Sequence, residues 1–480
     1  MVPALLLLAA LPLLAPPVQE RDLEVTARLS PTGGLRLEVD LRGEPYTGTA
    51  FLLGSLHPDL EGITEVGEIG PLLPSFSPES LHVVDGEVRL QVPPPILGRR
   101  MHLFLLGPGP SMSRILHLGG FGARQGRYDP RRIAVFANAA RQQSLTVADE
   151  YMRRREIPDE NLFVVELNDH TPNQAFLSVT EFDARLQPLL DRLPEHLDLI
   201  AITWTWPYRV VDLDDTRRQM SMTSAFLFGT KPDHLVPLPQ GHECVTPASL
   251  PPSPLFHDDR RAYGAHGLPR PTMMLAGRTT AEALALVERG VAADGSAPMF
   301  RGYLVRADPI RSIPREEDMQ RAEELWNPEP DVALDPFVIG GTPHPVGQDL
   351  MLYQTGDFVV EDVHANGFLP GAAADHLTSF GGALSPVPGQ MSVFAWLEAG
   401  ATGSYGTIRE PCNFDLKFPR TTVFLERYLA GETLGEAYVK SVAFPQEGLF
   451  VGDPAACPYC PRSEGLDLAT RDGLGAPSLR

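Results

Sequence analysis

The sequence has little of what would decide its function outright. Only four cysteines occur in 480 residues, Cys244, Cys412, Cys457 and Cys460. Their even number permits disulfides in an exported chain, but spacing alone does not fix the pairing. Basic charge is scarce: 40 Lys and Arg stand against 61 Asp and Glu, a formal net charge of −21. Such a surface repels phosphate backbones and argues against nucleic acid as a partner. No internal run approaches the roughly 20 apolar residues of a membrane-spanning helix, so no transmembrane anchor is expected. No repeat period recurs, which argues against a solenoid.

What is present is a folded, loop-rich protein. The hydrophobic fraction is 43%, and there are 48 prolines and 43 glycines. Those numbers imply short regular elements joined by many turns, and the length calls for two or three domains. The one long apolar stretch is at the start, "MVPALLLLAALPLLAPPVQERD". Its apolar core, Leu5 to Leu14, is too short to span a membrane and suits a signal peptide over residues 1–20. A buried N-terminal strand is the alternative. The expected localisation is therefore exported: periplasmic, cell-surface or extracellular.

Residues 21–119 carry strand patterns, "LEVTARLS", "LRLEVDLRG", "EVRLQVPPP" and "RMHLFLLGPG", separated by Gly and Pro clusters. They predict a small β-sandwich-like domain. Residues 120–131 read as a linker. From residue 132 to 460 the texture is α/β. "IAVFAN", "NLFVVEL" and "LDLIAITW" alternate with a helix at "SLTVADEYMRRREIP", for which Ser144 is the expected N-cap, and an amphipathic helix at "TEFDARLQPLLDRLPEH". Residues 212–270 read as an irregular insertion. The rhythm resumes with "TAEALALVERGVAADG", "RGYLVRAD" and "REEDMQRAEELW", followed by a loop. Then come a strand at "DFVVEDV", a loop at "AADHLTSFGGAL", a helix at "QMSVFAWLEAG" and a strand at "ATGSYGTI". Two helices, "TTVFLERYLAG" and "TLGEAYVKSVAF", precede the terminal "GLFVGDP". Residues 461–480 read as a flexible tail. The fold class expected is α/β, a mostly parallel sheet flanked by helices, behind a β-sandwich.

Several blocks are specific enough to carry a resemblance: "FANAARQQSLTVADEYMRRREIPDENL", "FLPGAAADHLTSFGG", "AGATGSYGTIREPCNFDLKFP" and "GETLGEAYVKSVAFPQEGLFVGDP". Over roughly residues 132–454 the chain resembles an exported bacterial protein family that brings no established activity with it. That family places an asparagine after the first strand and a serine at the next helix start, positions held here by Asn138 and Ser144. The C-terminal part is more faintly similar to the gingipain-like and clostripain-like cysteine peptidases, which implies a caspase-like fold. Their site uses a His-Gly after one strand and a cysteine after the next. This chain departs from both: Ala365 follows His364 after "DFVVEDV", and "HLTSFGG" contains no cysteine.

The candidate chemistry gathers around that loop. Ligands bind beyond the carboxyl ends of strands in open parallel sheets. Asn138, Asp362, Asp375, His376 and Glu410 would share such an edge. There His376 would act as general base, oriented by Asp375 or another acid, with Ser379 or Thr378 as nucleophile or ligand-binding hydroxyl. Gly381 and Gly382 would let backbone N–H groups approach an anion. The structural alternative is that Asp375 or Thr378 caps a helix and the glycines form a turn, since neighbours on a strand face opposite ways. Cys412 follows a later strand, with His376 or His364 earlier in the chain, the order of a Cys/His catalytic pair. Glu410, two residues away, would disfavour its thiolate, and a Cys412–Cys244 disulfide is an equally good reading. "CPYC", Cys457 to Cys460, lacks a surrounding thioredoxin-like unit and predicts a local disulfide, with a metal pair as the alternative. In the insertion, His242, Glu243, Cys244, His257, Asp258, Asp259 and His266 have no metal-ligand spacing, and Asp212, Asp214 and Asp215 lack the glycine and distal glutamate of a calcium loop. No metal is expected and no cofactor is specified. Asp453, in "FVGDP", reads as a turn starter.

Two functions fit. One is a hydrolase, with His376, Cys412, Ser379 and Asp375 as catalytic residues and Asn138, Ser144, Glu410, Thr378, Gly381 and Gly382 binding the ligand. The other is a non-catalytic binding or cell-surface protein on a degenerate caspase-like scaffold. The partner would be a small molecule, a peptide or a surface ligand.

Overall fold

The computed structural model describes strand backbones within residues 23–118 and then residues 127–167, 174–231, 252–306, 309–327, 332–338, 343–409 and 415–460. The chain divides into two units, one built mainly from residues 1–126 and the other from Arg127–Tyr428 with Glu432–Pro458.

The first unit is antiparallel β. Its strands are β1 (Leu23–Leu29), β2 (Gly34–Leu41), β3 (Glu44–Pro45), β4 (Gly48–Ser55), β5 (Ser77–Val83), β6 (Glu87–Gln91), β7 (Met101–Leu106) and β8 (Ser113–Leu118). They form two four-stranded sheets, β1-β2-β3 with β6 also on β2, and β5-β4-β7-β8. The alternating "LRLEVDL" of β2 pairs with β1 so that Val25 faces Val39 and Leu37 faces Ala27.

The second unit is α/β. A ten-stranded sheet runs in the order β10 (Leu162–Val165), β9 (Ile133–Asn138), β12 (Leu199–Ile202), β15 (Thr272–Met274), β21 (Gly448–Gly452), β20 (Gly403–Thr407), β19 (Phe368–His376), β18 (Leu350–Thr355), β16 (Phe300–Arg306) and β17 (Val332–Val338). A separate three-stranded sheet joins β11 (Phe176–Ser178), β13 (Arg209–Val211) and β14 (Gln219–Ser221). In the large sheet β9, β12, β18, β20 and β21 are buried along their whole length. That is the signature of strands covered by helices on both faces, and it explains why β9 and β12 read as largely apolar runs. Helices at Gln142–Arg155, Thr280–Ala293, Val393–Glu398 and Leu434–Ser441 pack on β9, β19, β20 and β21 respectively. Phe136 of β9 stacks on Phe163 and meets Phe226 edge-on, each 5.0 Å between ring centres. Burying a side chain such as Phe136 or Phe226 contributes about 2 kcal/mol.

Neighbouring strands in this sheet are parallel with one exception: β20 and β21 run antiparallel, Ser404 facing Val451. The sheet is therefore two parallel halves of opposite direction, β10-β9-β12-β15-β21 and β20-β19-β18-β16-β17. Their carboxyl ends lie at opposite ends of the sheet.

Several boundaries differ from the sequence reading. "DFVVEDV" is not a strand: β18 ends before it at Thr355, and Val363–Ala365 is a single 3-10 turn. Ala373 to His376, expected to open a loop, are the last residues of β19. The stretch after "REEDMQRAEELW", expected as loop, contains β17 and β18. The amphipathic segment 180–196 breaks into helices Val179–Arg185 and Gln187–Leu190, with Pro188 at the start of the second. The insertion is partly regular, holding β14 and the helix Met222–Phe228.

Candidate functional site

The carboxyl end of the first half is built around the turn from β9 into the helix Gln142–Arg155. Ser144 does not cap this helix. The N-cap position is Arg141, without a side-chain cap. Ser144 lies in the first turn, fully buried, where its Oγ accepts the Asn138 N–H (2.9 Å) and contacts Thr203 Oγ1 (2.9 Å). The structure thus brings Asn138 and Ser144 together through a backbone bond. Asn138 Oδ1 accepts from the N–H groups of Ala140 (3.1 Å) and Leu167 (3.0 Å). Its Nδ2 is buried and has no hydrogen-bond partner. Beyond β12, Thr205 Oγ1 donates to the Gly277 carbonyl (2.8 Å), closing the loop after β12 onto that after β15. Trp206 lies beneath the Arg141 guanidinium, 5.5 Å from its carbon, and Trp206 Nε1 is also buried without a partner. An open groove of about 480 Å³ follows the same helix, lined in part by Ala137, Leu145, Ala148, Met152 and Leu162.

The carboxyl end of the second half holds the loops after β18, β19 and β20. Alternation along β19 sends Asp375 and His376 to opposite faces. Asp375 is fully buried, pairs with Arg315 and accepts from Gln354 Nε2 (3.1 Å) and the Tyr438 hydroxyl (3.5 Å). Burial raises its pKa above the ordinary carboxylate range, and Arg315 opposes that shift. His376 points into the cluster formed by Tyr353, Met391 and Trp396. Its Nε2 faces the Met391 carbonyl (2.8 Å), and its Nδ1 accepts from Trp396 Nε1 (3.0 Å). That pattern requires the neutral Nε2–H tautomer. Burial pushes the His376 pKa down to about 4. Both ring nitrogens are committed to structure, and Asp375 does not orient the ring.

The loop that follows is held by Gln390, whose Oε1 accepts from Thr378 Oγ1 (2.7 Å) and the Phe380 N–H (2.8 Å). The Ser379 carbonyl accepts from Thr407 Oγ1 (2.9 Å). The double glycine has a packing reason. A Cβ on Gly382 would sit 2.1 Å from the Gly406 carbonyl oxygen of β20, and one on Gly406 would sit 2.3 Å from the Gly382 nitrogen. Gly382 N–H instead donates to the Thr407 carbonyl (2.8 Å). The glycines let loop and strand backbones touch.

Asn138 and His376, expected on one edge, are on different ones. Five strand spacings separate β9 from β19, about 24 Å at roughly 4.8 Å each, and the two strands end at opposite sides of the sheet. Cys412, Glu410 and Cys244 lie outside the described residues. Asp362, with φ 54°, opens the 3-10 turn Val363–Ala365 rather than a strand-end loop. Cys457 and Cys460 are disulfide-bonded. Asp453 takes the Ala455 N–H (3.0 Å), a turn bond, but it also accepts from the Tyr151 hydroxyl (2.7 Å) and pairs with buried Arg155.

Two groups at the second carboxyl end were missed by sequence reasoning. His344 Nε2 lies 3.3 Å from Asp357 Oδ2, both side chains largely buried. Asp357 also joins the loops, since its carbonyl accepts the Leu377 N–H (3.2 Å). The signal available was "QTGD", in which Gly356-Asp357 ends an apolar run, but His344 comes from the preceding proline-containing loop and only folding brings it there. After β20, Arg409 Nε lies 3.1 Å and Lys417 Nζ 2.5 Å from the Glu447 carboxylate, all three buried.

The fold and these sites define an α/β protein with a large, mostly parallel sheet. No protein-family model matches the chain, and no curated protein matches it. It is similar to a solved structure described as "Structure of Protease", at 10% identity over 70% of this chain and 80% of that one, with a TM-score of 0.35.

Proposed function

We propose that the chain is an exported binding protein whose α/β domain is a degenerate caspase-like scaffold that does not turn its ligand over. The observation that carries this reading is the occupancy of the loops after β18 and β19. The faintly similar peptidases need a His-Gly after one strand and a cysteine after the next. Here β18 leads into Gly356-Asp357, and β19 ends in a histidine with both ring nitrogens bonded and continues into a cysteine-free loop. The hydroxyl of Thr378 is spent on Gln390. Export is supported by the apolar run at Leu5–Leu14 and by the Cys457, Cys460 disulfide.

A second reading, a hydrolase at the carboxyl end of β18 and β19, is favoured by the His344–Asp357 pair, a histidine held against a carboxylate. The same experiment decides between them. The purified full chain is offered a panel of fluorogenic peptides, a thiol-reactive peptide probe and a fluorophosphonate, beside Cys412→Ala, Ser379→Ala and His344→Ala. The expected result is no turnover above blank and no labelling that depends on Cys412 or Ser379. A covalent adduct lost in either variant, or turnover lost in His344→Ala, would establish the hydrolase and remove the binding reading.

A further inference from the structure

In chain order the first four strands of the large sheet are β9, β10, β12 and β15, yet in space β10 lies on one side of β9 and β12 on the other. Successive connections therefore leave β9 in opposite directions, and a crevice opens between the carboxyl ends of β9 and β12. Open α/β sheets bind ligands at such switch points. Among the described residues, several hydrogen-bond donors come from these strand ends. The helix Gln142–Arg155 begins there with no side-chain cap and no acidic residue in its first turn. Among the described residues the N–H groups of Gln142, Gln143 and Ser144 make no hydrogen bond. A fourteen-residue helix presents partial positive charge at that end.

Two further donors point to a ligand independently of the helix. Asn138, with 0% of its surface exposed, has spent its Oδ1 on Ala140 and Leu167 and holds Nδ2 unpartnered. Trp206, 8% exposed, holds Nε1 unpartnered beneath the Arg141 guanidinium. Buried donors without acceptors are uncommon and costly, of order 1–3 kcal/mol each. Ala139, Ala140 and Gln142 are exposed, so the crevice opens to solvent.

We infer that the carboxyl ends of β9 and β12 form a binding site for an oxyanion group of the ligand, a phosphate or a carboxylate, received by the Gln142–Ser144 N–H groups, Asn138 Nδ2 and Trp206 Nε1. An oxyanion supplies several acceptor lone pairs together with a charge that complements the helix terminus, which a neutral group lacks and a cationic group opposes. The overall charge of −21 opposes anions at long range but is screened over about 8 Å at physiological salt, so capture depends on these short, directed donors. The inference deepens the binding reading by naming the ligand's chemistry and rests on that reading only in treating the site as non-catalytic. A chain that hydrolyses peptides yet binds phosphate here would sink the earlier proposal and leave this one standing.

The test is titration of the purified full chain with inorganic phosphate and, separately, with acetate, at constant ionic strength in chloride, followed by tryptophan fluorescence and thermal shift. Saturable binding of phosphate alone assigns a phosphate-bearing ligand, and of acetate alone a carboxylate. Asn138→Asp keeps the oxygen that serves Ala140 and Leu167 and exchanges the free donor for a second oxygen. It should weaken binding by about tenfold or more, the effect of losing a hydrogen bond to a charged group. Trp206→Phe removes the N–H together with the fused five-membered ring of a largely buried side chain, and should weaken binding several-fold while lowering the melting temperature by the cost of the cavity it leaves. It decides the matter should Asn138→Asp fail to fold. No saturable response to either anion up to tens of millimolar, or a response that the folded variants leave intact, overturns the site.

Discussion

Substituting His376 by glutamine should remove a large pH dependence of stability. The imidazole is fully buried, donates to one carbonyl and accepts from one indole, so the folded protein holds it neutral. Its pKa falls from the ordinary 6.5 to about 4, chiefly through burial. Between those values the unfolded chain binds a proton that the folded chain refuses. Stability from this group is therefore fully present above pH 6.5 and is lost as pH falls toward 4. Each tenfold change in proton affinity is worth about 1.4 kcal/mol, so the loss over this window is about 3 kcal/mol. Glutamine carries one amide donor and one oxygen acceptor and does not titrate. The assay is urea unfolding of both proteins, followed by tryptophan fluorescence, from pH 7.5 to pH 4. The difference in stability between wild type and His376→Gln should shift by about 3 kcal/mol against the wild type across that range, since groups common to both cancel. A flat difference, or an NMR titration placing His376 near 6.5, would refute the reasoning and reopen a role for this histidine as a base.

Two further substitutions probe the packing around the candidate sites. Gly382→Ala should destabilise the fold by about 3 kcal/mol or more, because its Cβ meets backbone at 2.1 Å. Gly381→Ala, whose nearest contacts are the His376 and Thr378 side chains at 3.2 Å, should cost under about 1 kcal/mol; equal melting temperatures for the two variants would contradict this account of the double glycine. Asp453→Asn keeps acceptors for Ala455 and Tyr151 but leaves Arg155 with only Asp294, and should cost about 3 kcal/mol by urea unfolding. The Asp294 carboxyl, raised to about 6 by burial with Asp453 adding to it, should titrate lower in that variant, as read by carbon-13 NMR.

Much of the architecture was legible because it is local. Largely apolar runs such as "IAVFAN" and "LDLIAITW" announce strands covered on both faces, and the helices between them announce parallel connections. "LRLEVDL" announces its alternating partner in the same way. The errors came where tertiary contacts override local chemistry. Ser144 has the composition of a helix cap, but its hydroxyl is drawn to Asn138 and Thr203 inside the first turn, and Arg141 takes the cap position. "DFVVEDV" has strand composition but is spent in turns. Its Val360 and Val363 are anchored in the cluster around Trp396, so burial and not pairing accounts for their apolar character.

The candidate site was misjudged for a reason that no local pattern carries. Each βαβ unit fixes the direction of a strand relative to its predecessor, but the direction of one parallel run relative to another depends on how the two meet. Here they meet through β21, which follows β15 by more than 170 residues and inserts between β15 and β20, parallel to the first and antiparallel to the second. That single reversal sends the carboxyl ends of the two halves to opposite sides. A site drawn from both, with Asn138 beside His376, becomes two places with separate chemistry. One end carries unpartnered donors around Asn138 and a free helix terminus. The other carries a histidine whose nitrogens are used up, a glutamine-held loop and the His344–Asp357 pair. Ligand capture at the first end needs no catalytic group from the second, which is why binding without turnover is the reading that the separation favours.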